Sequence, residues 1–258
     1  MVFGFLGLGG VSFEPEKDIP DLSGKVILVT GGNIGLGLET ILQLSKHNPS
    51  HIYLAARSES KATAAIEEIQ SKVPNAPITF LQCDLTSLPS VQDCAKKFDT
   101  NESRLDLLFL NAGIMAVPAA TTEQGYEIQF GTNHTAEQKD SDVRVISLIT
   151  QHLSRYGQSK LSNILFTKGL DKRYGERGIA AVSVHPGVVN TNLYATALEK
   201  YGVFGKIGGL VRDLAFTMKG EYYIPVGIPG NGNSYTVDEK LADELWEWTE
   251  KELKGYNV

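Results

Sequence analysis

Cysteine is scarce: only Cys83 and Cys94 occur in 258 residues, with no C-x-x-C spacing. That excludes a disulfide-stapled scaffold and leaves both side chains to be read as buried or half-buried thiols in a reducing compartment. Basic residues are outnumbered, 24 against 30 acids for a net charge of −6. The chain therefore has no cationic footprint for nucleic acid. Long apolar runs are missing as well. The greasiest stretch, Met1 to Val11, has no cationic start and about half the length a bilayer span needs, so it reads as neither a signal peptide nor a membrane helix. Residues 1–22 are expected to form an apolar arm packed on the body, with weak contact to a membrane or a hydrophobic substrate as the alternative. The five histidines do not cluster in a metal-like spacing, so no metal is assigned. Repeats, linkers and low-complexity tracts are absent too. The expected setting is cytoplasmic, with membrane association the alternative.

What remains is an apolar fraction of 42%, ample for one large core over residues 23–258. Val26 to Val29 is a continuous apolar run suited to a strand covered on both faces. It runs into Thr30-Gly31-Gly32-Asn33-Ile34-Gly35-Leu36-Gly37, after which Leu38, Ile41, Leu42 and Leu44 repeat at helical spacing. Glycines in that pattern allow a tight turn and close approach of backbone to a ligand, and the new helix points its amides at an anion such as a pyrophosphate. Further strands are expected at 51–56, 78–82, 105–110, 143–149, 179–184 and 222–226. Helices are expected at 58–72, 87–98, 121–138, from an N-cap at Ser154 to about 174, and 238–253, with 193–217 as loop and short helices. Alternation at this spacing means βαβ units and a doubly wound parallel α/β sheet in a single domain.

In such a sheet the ligand lies beyond the carboxyl ends of the strands. After the second strand come Arg57 and Ser58 in place of the carboxylate that holds the ribose of NAD. A guanidinium and a hydroxyl suit a 2′-phosphate, and so NADP. After the third comes Asp84, either a partner for the adenine amino group or a helix N-terminal acid. After the fourth comes Asn111-Ala112-Gly113, small enough for the chain to pass beside a cofactor. Tyr156 and Lys160 stand four apart, one turn of one helix face, so a phenol and an ammonium meet over one spot. A cation favours the phenolate, which lets the pair exchange protons near neutral pH.

The ordered motifs Thr30-Gly-x3-Gly-x-Gly37, Asn111-Ala112-Gly113, Tyr156-x3-Lys160 and Pro186-Gly187-x3-Thr191 resemble the short-chain dehydrogenase/reductase family. Gly131-Thr132-Asn133-His134 and His185-Pro186-Gly187 bring the chain nearest its retinol-dehydrogenase-like branch and the fungal reductases of secondary metabolism. The resemblance implies a Rossmann domain and reversible oxidation of an alcohol to a carbonyl, here on a lipophilic small molecule. It implies Tyr156 as proton donor or acceptor and Lys160 as the group that lowers its pKa and holds the nicotinamide ribose. Asn133 would anchor a relay water, and Thr191, with the backbone near Val189, would hold the carboxamide. Gly31, Asn33, Gly35, Leu36 and Gly37 would line the pyrophosphate, with Asn111 and Gly113 near the adenosine ribose and its surroundings. The substrate-polarising serine of the family is replaced by Thr150, whose extra methyl crowds the substrate. The chain also looks short after His134, between Thr150 and Tyr156, and between Phe216 and Tyr222, which would bare an apolar patch. A cofactor-binding protein with little or no turnover is therefore the alternative to an enzyme. Substrate identity, reaction direction and oligomeric state are not written in the sequence.

Overall fold

The computed structural model describes residues 13–134, 151–184, 222–224, 228–229 and 234–256. Its elements, in chain order, begin with α1 (Pro15–Asp18), β1 (Val26–Thr30), α2 (Gly35–Ser45), β2 (His51–Ala56) and α3 (Glu59–Lys72). There follow β3 (Ile78–Gln82), α4 (Leu88–Asn101), β4 (Leu107–Phe109), α5 (Ile128–His134) and α6 (Gln151–Tyr174). The last are β5 (Ser183–Val184), β6 (Tyr222–Ile224), β7 (Ile228–Pro229) and α7 (Glu239–Leu253). The main sheet runs β3-β2-β1-β4 with every pair parallel. β5, β6 and β7 form a small second sheet.

Alternation along the strands divides the core between two faces. Ile27, Val29, Ile52 and Leu54 pack with Ile41 and Leu42 of α2 and with Ala62, Ala65 and Ile69 of α3. Their neighbours Val26, Tyr53 and Ala55 turn the other way, onto Cys94 and Phe98 of α4. Helices on both faces make the sheet doubly wound, as the continuous apolar strands require. Each fully buried aliphatic side chain contributes about 1.5–3 kcal/mol, so these central strands hold the frame on which the site is built. At the amino-terminal end, Glu102 at the close of α4 receives the Tyr53 hydroxyl at 3.1 Å and meets His51 Nδ1 at 2.7 Å. Burial and that carboxylate push the Tyr53 phenol up to about 12.

Several expected boundaries shift, each for a local reason. The fourth strand was expected over 105–110 and covers only Leu107–Phe109. Its entry is occupied by Asp106, which accepts the Val26 N–H at 3.0 Å and pairs with Lys25 and Arg104. Those partners hold the Asp106 carboxyl well below the ordinary range, the Arg104 hydrogen bond foremost. In place of a helix over 121–138, Thr121 bridges Glu127 around Gly125 at φ +88, and α5 starts only at Ile128. Ser154 is not an N-cap, since α6 already begins at Gln151. Gly178 at φ +88 ends the preceding 3-10 turn, and only Ser183–Val184 of the expected 179–184 strand is paired. The expected strand 143–149 and the loop 193–217 lie outside the described residues.

α7 closes the carboxyl-terminal part. Asp238 caps it by accepting the Leu241 N–H at 2.9 Å, and Trp246 stacks on Phe166 of α6 with ring centroids 5.1 Å apart. Arg173 lies 4.5 Å over the same indole while its guanidinium reaches Asp243. The tryptophan is thus core packing. Among the described residues, Leu108 and Leu110 stand 51% and 67% exposed at β4, and Val182 and Val184 63% and 67% exposed at β5. No helix among the described residues is long and apolar enough to cross a membrane.

Candidate active site

The strand order reverses between β1 and β4, since β1 leads by α2 to β2 on one side while β4 lies on the other. A crevice at the carboxyl ends of those two strands is where an open α/β sheet holds its ligand. Gly31 at φ +66 and Gly35 at φ +58 turn the chain from β1 into α2. A Cβ on Gly37 would lie 2.4 Å from the Gly31 carbonyl oxygen and 2.5 Å from Asn111 Nδ2, so only hydrogen fits there. Ile34, extended at φ −159, opens α2, and no side chain caps it. The amides of Leu36 and Gly37, beside Asn33, are left for an anion at the positive end of the helix dipole.

The opposite wall is the exit of β4. Asn111 donates from Nδ2 to the Thr30 carbonyl at 3.0 Å and to that of Gly31 at 3.4 Å. The Ala112 N–H donates to the Thr30 hydroxyl at 3.1 Å. Asn111 thus braces the glycine turn. Beyond β2, Arg57 is exposed, with no ion-pair partner among the described residues. Ser58 accepts the Lys61 N–H as N-cap of α3. Asp84 takes the Thr86 N–H and hydroxyl on Oδ1, at 2.9 and 2.7 Å. These bonds form a local turn four residues ahead of α4, whose N-cap is Ser87.

Farther along the crevice α5 and α6 supply the polar groups. Arg155 pairs with Glu127 at 2.5 Å. The other oxygen of Glu127 accepts the N–H groups of Gln129 and Phe130 at the start of α5. Asn133 is held at both ends of its amide, with Oδ1 accepting the Ile114 N–H at 2.7 Å and Nδ2 donating to the Ile114 carbonyl at 2.9 Å. Lys160 places its Nζ 5.3 Å from the Tyr156 ring centroid. A Cβ on Gly113 would come within 3.5 Å of the same nitrogen and 3.3 Å of Asn133 Oδ1, so the bare glycine lets all three meet. Burial holds the Lys160 ammonium below the usual lysine range.

His134 forms part of the same floor. Its Nδ1 meets Asn163 Oδ1 at 2.8 Å, and Asn163 Nδ2 donates to the Asn133 carbonyl at 3.2 Å. Nε2 is shut off from water with no hydrogen-bond partner among the described residues. Burial, with Lys160 nearby, pushes the imidazole down to about 4 against the pull of Asn163. Between that value and 6.5 the unfolded chain binds the extra proton, so stability is full above pH 6.5 and falls as the pH drops toward 4. Wild type should lose about 3 kcal/mol more over that window than His134→Gln. Urea unfolding at stepped pH checks this, and parallel curves for the two proteins would refute it.

Thr30, Ser159 and Asn163 tie the site together, although the sequence gives only Thr30 a place in a motif and singles out neither of the other two. Their only signal is position, at the mouth of the glycine turn or within a turn of Lys160. Thr150, Val189 and Thr191 fall outside the described residues. A cavity of about 380 Å³ lies at the other end of the sheet, among Ile19, Pro20, Leu22, Leu44 and Leu107, away from this chemistry.

The family model described as short chain dehydrogenase matches residues 25–137. The short-chain dehydrogenase/reductase drtF of Aspergillus calidoustus is 34% identical, over 92% of this chain and 96% of that protein. The chain belongs to the short-chain dehydrogenase/reductase family. Retinol dehydrogenase 13 of Homo sapiens is likewise 34% identical, over 67% of this chain and 61% of that one. The crystal structure of an uncharacterized protein from Mycobacterium paratuberculosis superposes at a TM-score of 0.67 and 26% identity, covering 95% and 98% of the two chains. As a short-chain dehydrogenase/reductase the protein is an oxidoreductase; among solved structures of similar fold, one from Burkholderia phymatum holds NAD and one from a metagenomic library holds NADPH. The glycine turn, open amides and Asn111 brace fit the pyrophosphate end of such a cofactor. The alignment with drtF runs over 301 positions, more than the 258 residues present, so that relative carries residues without a counterpart here.

Proposed function

We propose that the protein is an NADP-dependent oxidoreductase that interconverts an alcohol and a carbonyl on a lipophilic small molecule, with Tyr156 as general acid and base. The observation that carries this reading is the half-buried Lys160 ammonium 5.3 Å from the Tyr156 ring centroid, at the far end of a crevice whose near end suits a pyrophosphate. When bound, the nicotinamide supplies or takes the hydride. In the reducing direction Tyr156 gives its hydroxyl proton to the carbonyl oxygen as the carbon gains hydride, leaving a phenolate. Lys160 stabilises that phenolate, because an ammonium out of water acts on a neighbouring charge with little screening. In the oxidising direction the phenolate takes the alcohol proton. Asn133 keeps α5 on the β4 exit, and Thr150 is proposed to offer a hydroxyl to the substrate oxygen. Thr191 and the backbone at Val189 are proposed to hold the carboxamide.

The preference for NADP rests on Arg57, an exposed guanidinium just past β2 with no ion-pair partner among the described residues. Arg57→Ala should weaken NADPH binding about tenfold to a hundredfold, the worth of a charge-assisted hydrogen bond, and leave NADH binding within a few-fold. Fluorescence titration with both cofactors measures this, and equal loss for the two would reject the assignment. The lipophilic substrate class is supported by the retinol dehydrogenases among the relatives, and a place in secondary metabolism by the fungal ones. Two buried free thiols, Cys83 and Cys94, suit a cytoplasmic setting.

A second reading, a cofactor-binding protein with little turnover, is favoured by the residues of drtF that have no counterpart here. NADPH with a panel of apolar ketones, followed by nicotinamide absorbance, decides between them. Binding without oxidation would retire the enzyme.

A further inference from the structure

Among the described residues, three hydroxyl side chains of α6 bond back to carbonyls of their own helix. Ser162 donates to the Gln158 carbonyl at 3.0 Å, the ordinary back-bond of a hydroxyl in a helix, and Thr167 makes the same bond to Asn163 at 2.7 Å while accepting the Ser183 hydroxyl of β5 at 2.8 Å. Ser159 makes such a bond too, to the Tyr156 carbonyl at 2.8 Å. Its oxygen also accepts from Asn133 Nδ2 at 3.0 Å, and the side chain is wholly buried. With the two bonds from Asn133 to Ile114, an unbroken line runs from the β4 exit through the Asn133 amide and the Ser159 hydroxyl to the backbone of Tyr156. All hydrogen-bonding positions of that amide are then used except one lone pair on Oδ1.

Resting on the reading of Tyr156 as proton carrier, we propose that Ser159 is a positioning residue for the reaction. It fastens the Tyr156–Lys160 turn to Asn133 and the end of β4, and so fixes how near the ammonium stands to the phenol. Without the hydroxyl, one Asn133 N–H is buried with nothing to donate to, which drives the amide or the helix to shift. Lys160 follows Ser159 directly, so a shift of this turn moves the cation as well.

The test compares wild type with Ser159→Ala, Ser159→Cys and the control Ser162→Ala, which removes only a back-bond. The Tyr156 phenol is titrated by tyrosinate difference absorbance, with Tyr156→Phe as the blank, a readout that needs no turnover. Ser159→Ala should raise the phenol titration by about one pH unit, as expected when a nearby cation is let go. With an apolar ketone it should lower kcat about tenfold at little change in KM and move the pH profile by the same amount. Ser159→Cys, a weaker acceptor of the same shape, should fall between, and Ser162→Ala should match wild type. A phenol that titrates alike in wild type and Ser159→Ala, or an equal change in Ser162→Ala, would overturn the role of Ser159. Full turnover by Tyr156→Phe would instead refute the reading beneath it.

Discussion

Tyr156→Phe should lower turnover about a hundredfold to ten-thousandfold, the usual worth of a positioned acid or base, while NADPH binding stays within a few-fold. The ring and its contact with Lys160 survive the substitution, because the Lys160 nitrogen stands over the ring and the face of phenylalanine attracts a cation as well. What disappears, on the proposed mechanism, is the proton that follows the hydride. Single-turnover kinetics with bound NADPH separates this from a binding defect. A variant that still oxidises NADPH at the wild-type rate would show that the proton comes from elsewhere.

Gly37→Ala should cost more than any other single methyl in the molecule's cofactor end. The added carbon would stand 2.4 Å from the Gly31 oxygen and 2.5 Å from Asn111 Nδ2, and the first of these is backbone that cannot swing aside. Either α2 backs away from β1 or the Asn111 bonds to Thr30 and Gly31 break. Overpacking of this kind costs about 1–3 kcal/mol of stability, and both outcomes move the open amides off the anion they are to bind. NADPH affinity should fall more than about a hundredfold, a loss of some 2.7 kcal/mol, with a lower urea midpoint in the absence of cofactor. Unchanged affinity in Gly37→Ala would mean the pyrophosphate does not rest on this turn.

The frame was legible because its signals are local. Val26 to Val29 is apolar throughout and His51 to Ala56 largely so, and both lie as central strands. Ser58 and Asp238 announce helix starts, and each accepts the amide of the residue three places on. The boundaries that moved were set by partners distant in sequence. Asp106 is bound by Lys25 and by the Val26 amide, about eighty residues away, which no periodicity shows. The same holds inside the site. Tyr156 and Lys160 declare themselves by spacing, and Asn111 and Gly113 by their motif. Ser159, between the first two, looks like any helix serine until Asn133, 26 residues earlier, is seen to lean on it.

The stitching of β1 to β4 at their upper ends bears on how a dinucleotide gets in. Thr30, Asn111 and Ala112 are joined by hydrogen bonds across the gap whether or not anything lies in it, so the slot has its width before a guest arrives. Association then needs no spreading of these two strand ends. Little ordering of the backbone is left to oppose association, and capture should run fast while tightness is governed by escape.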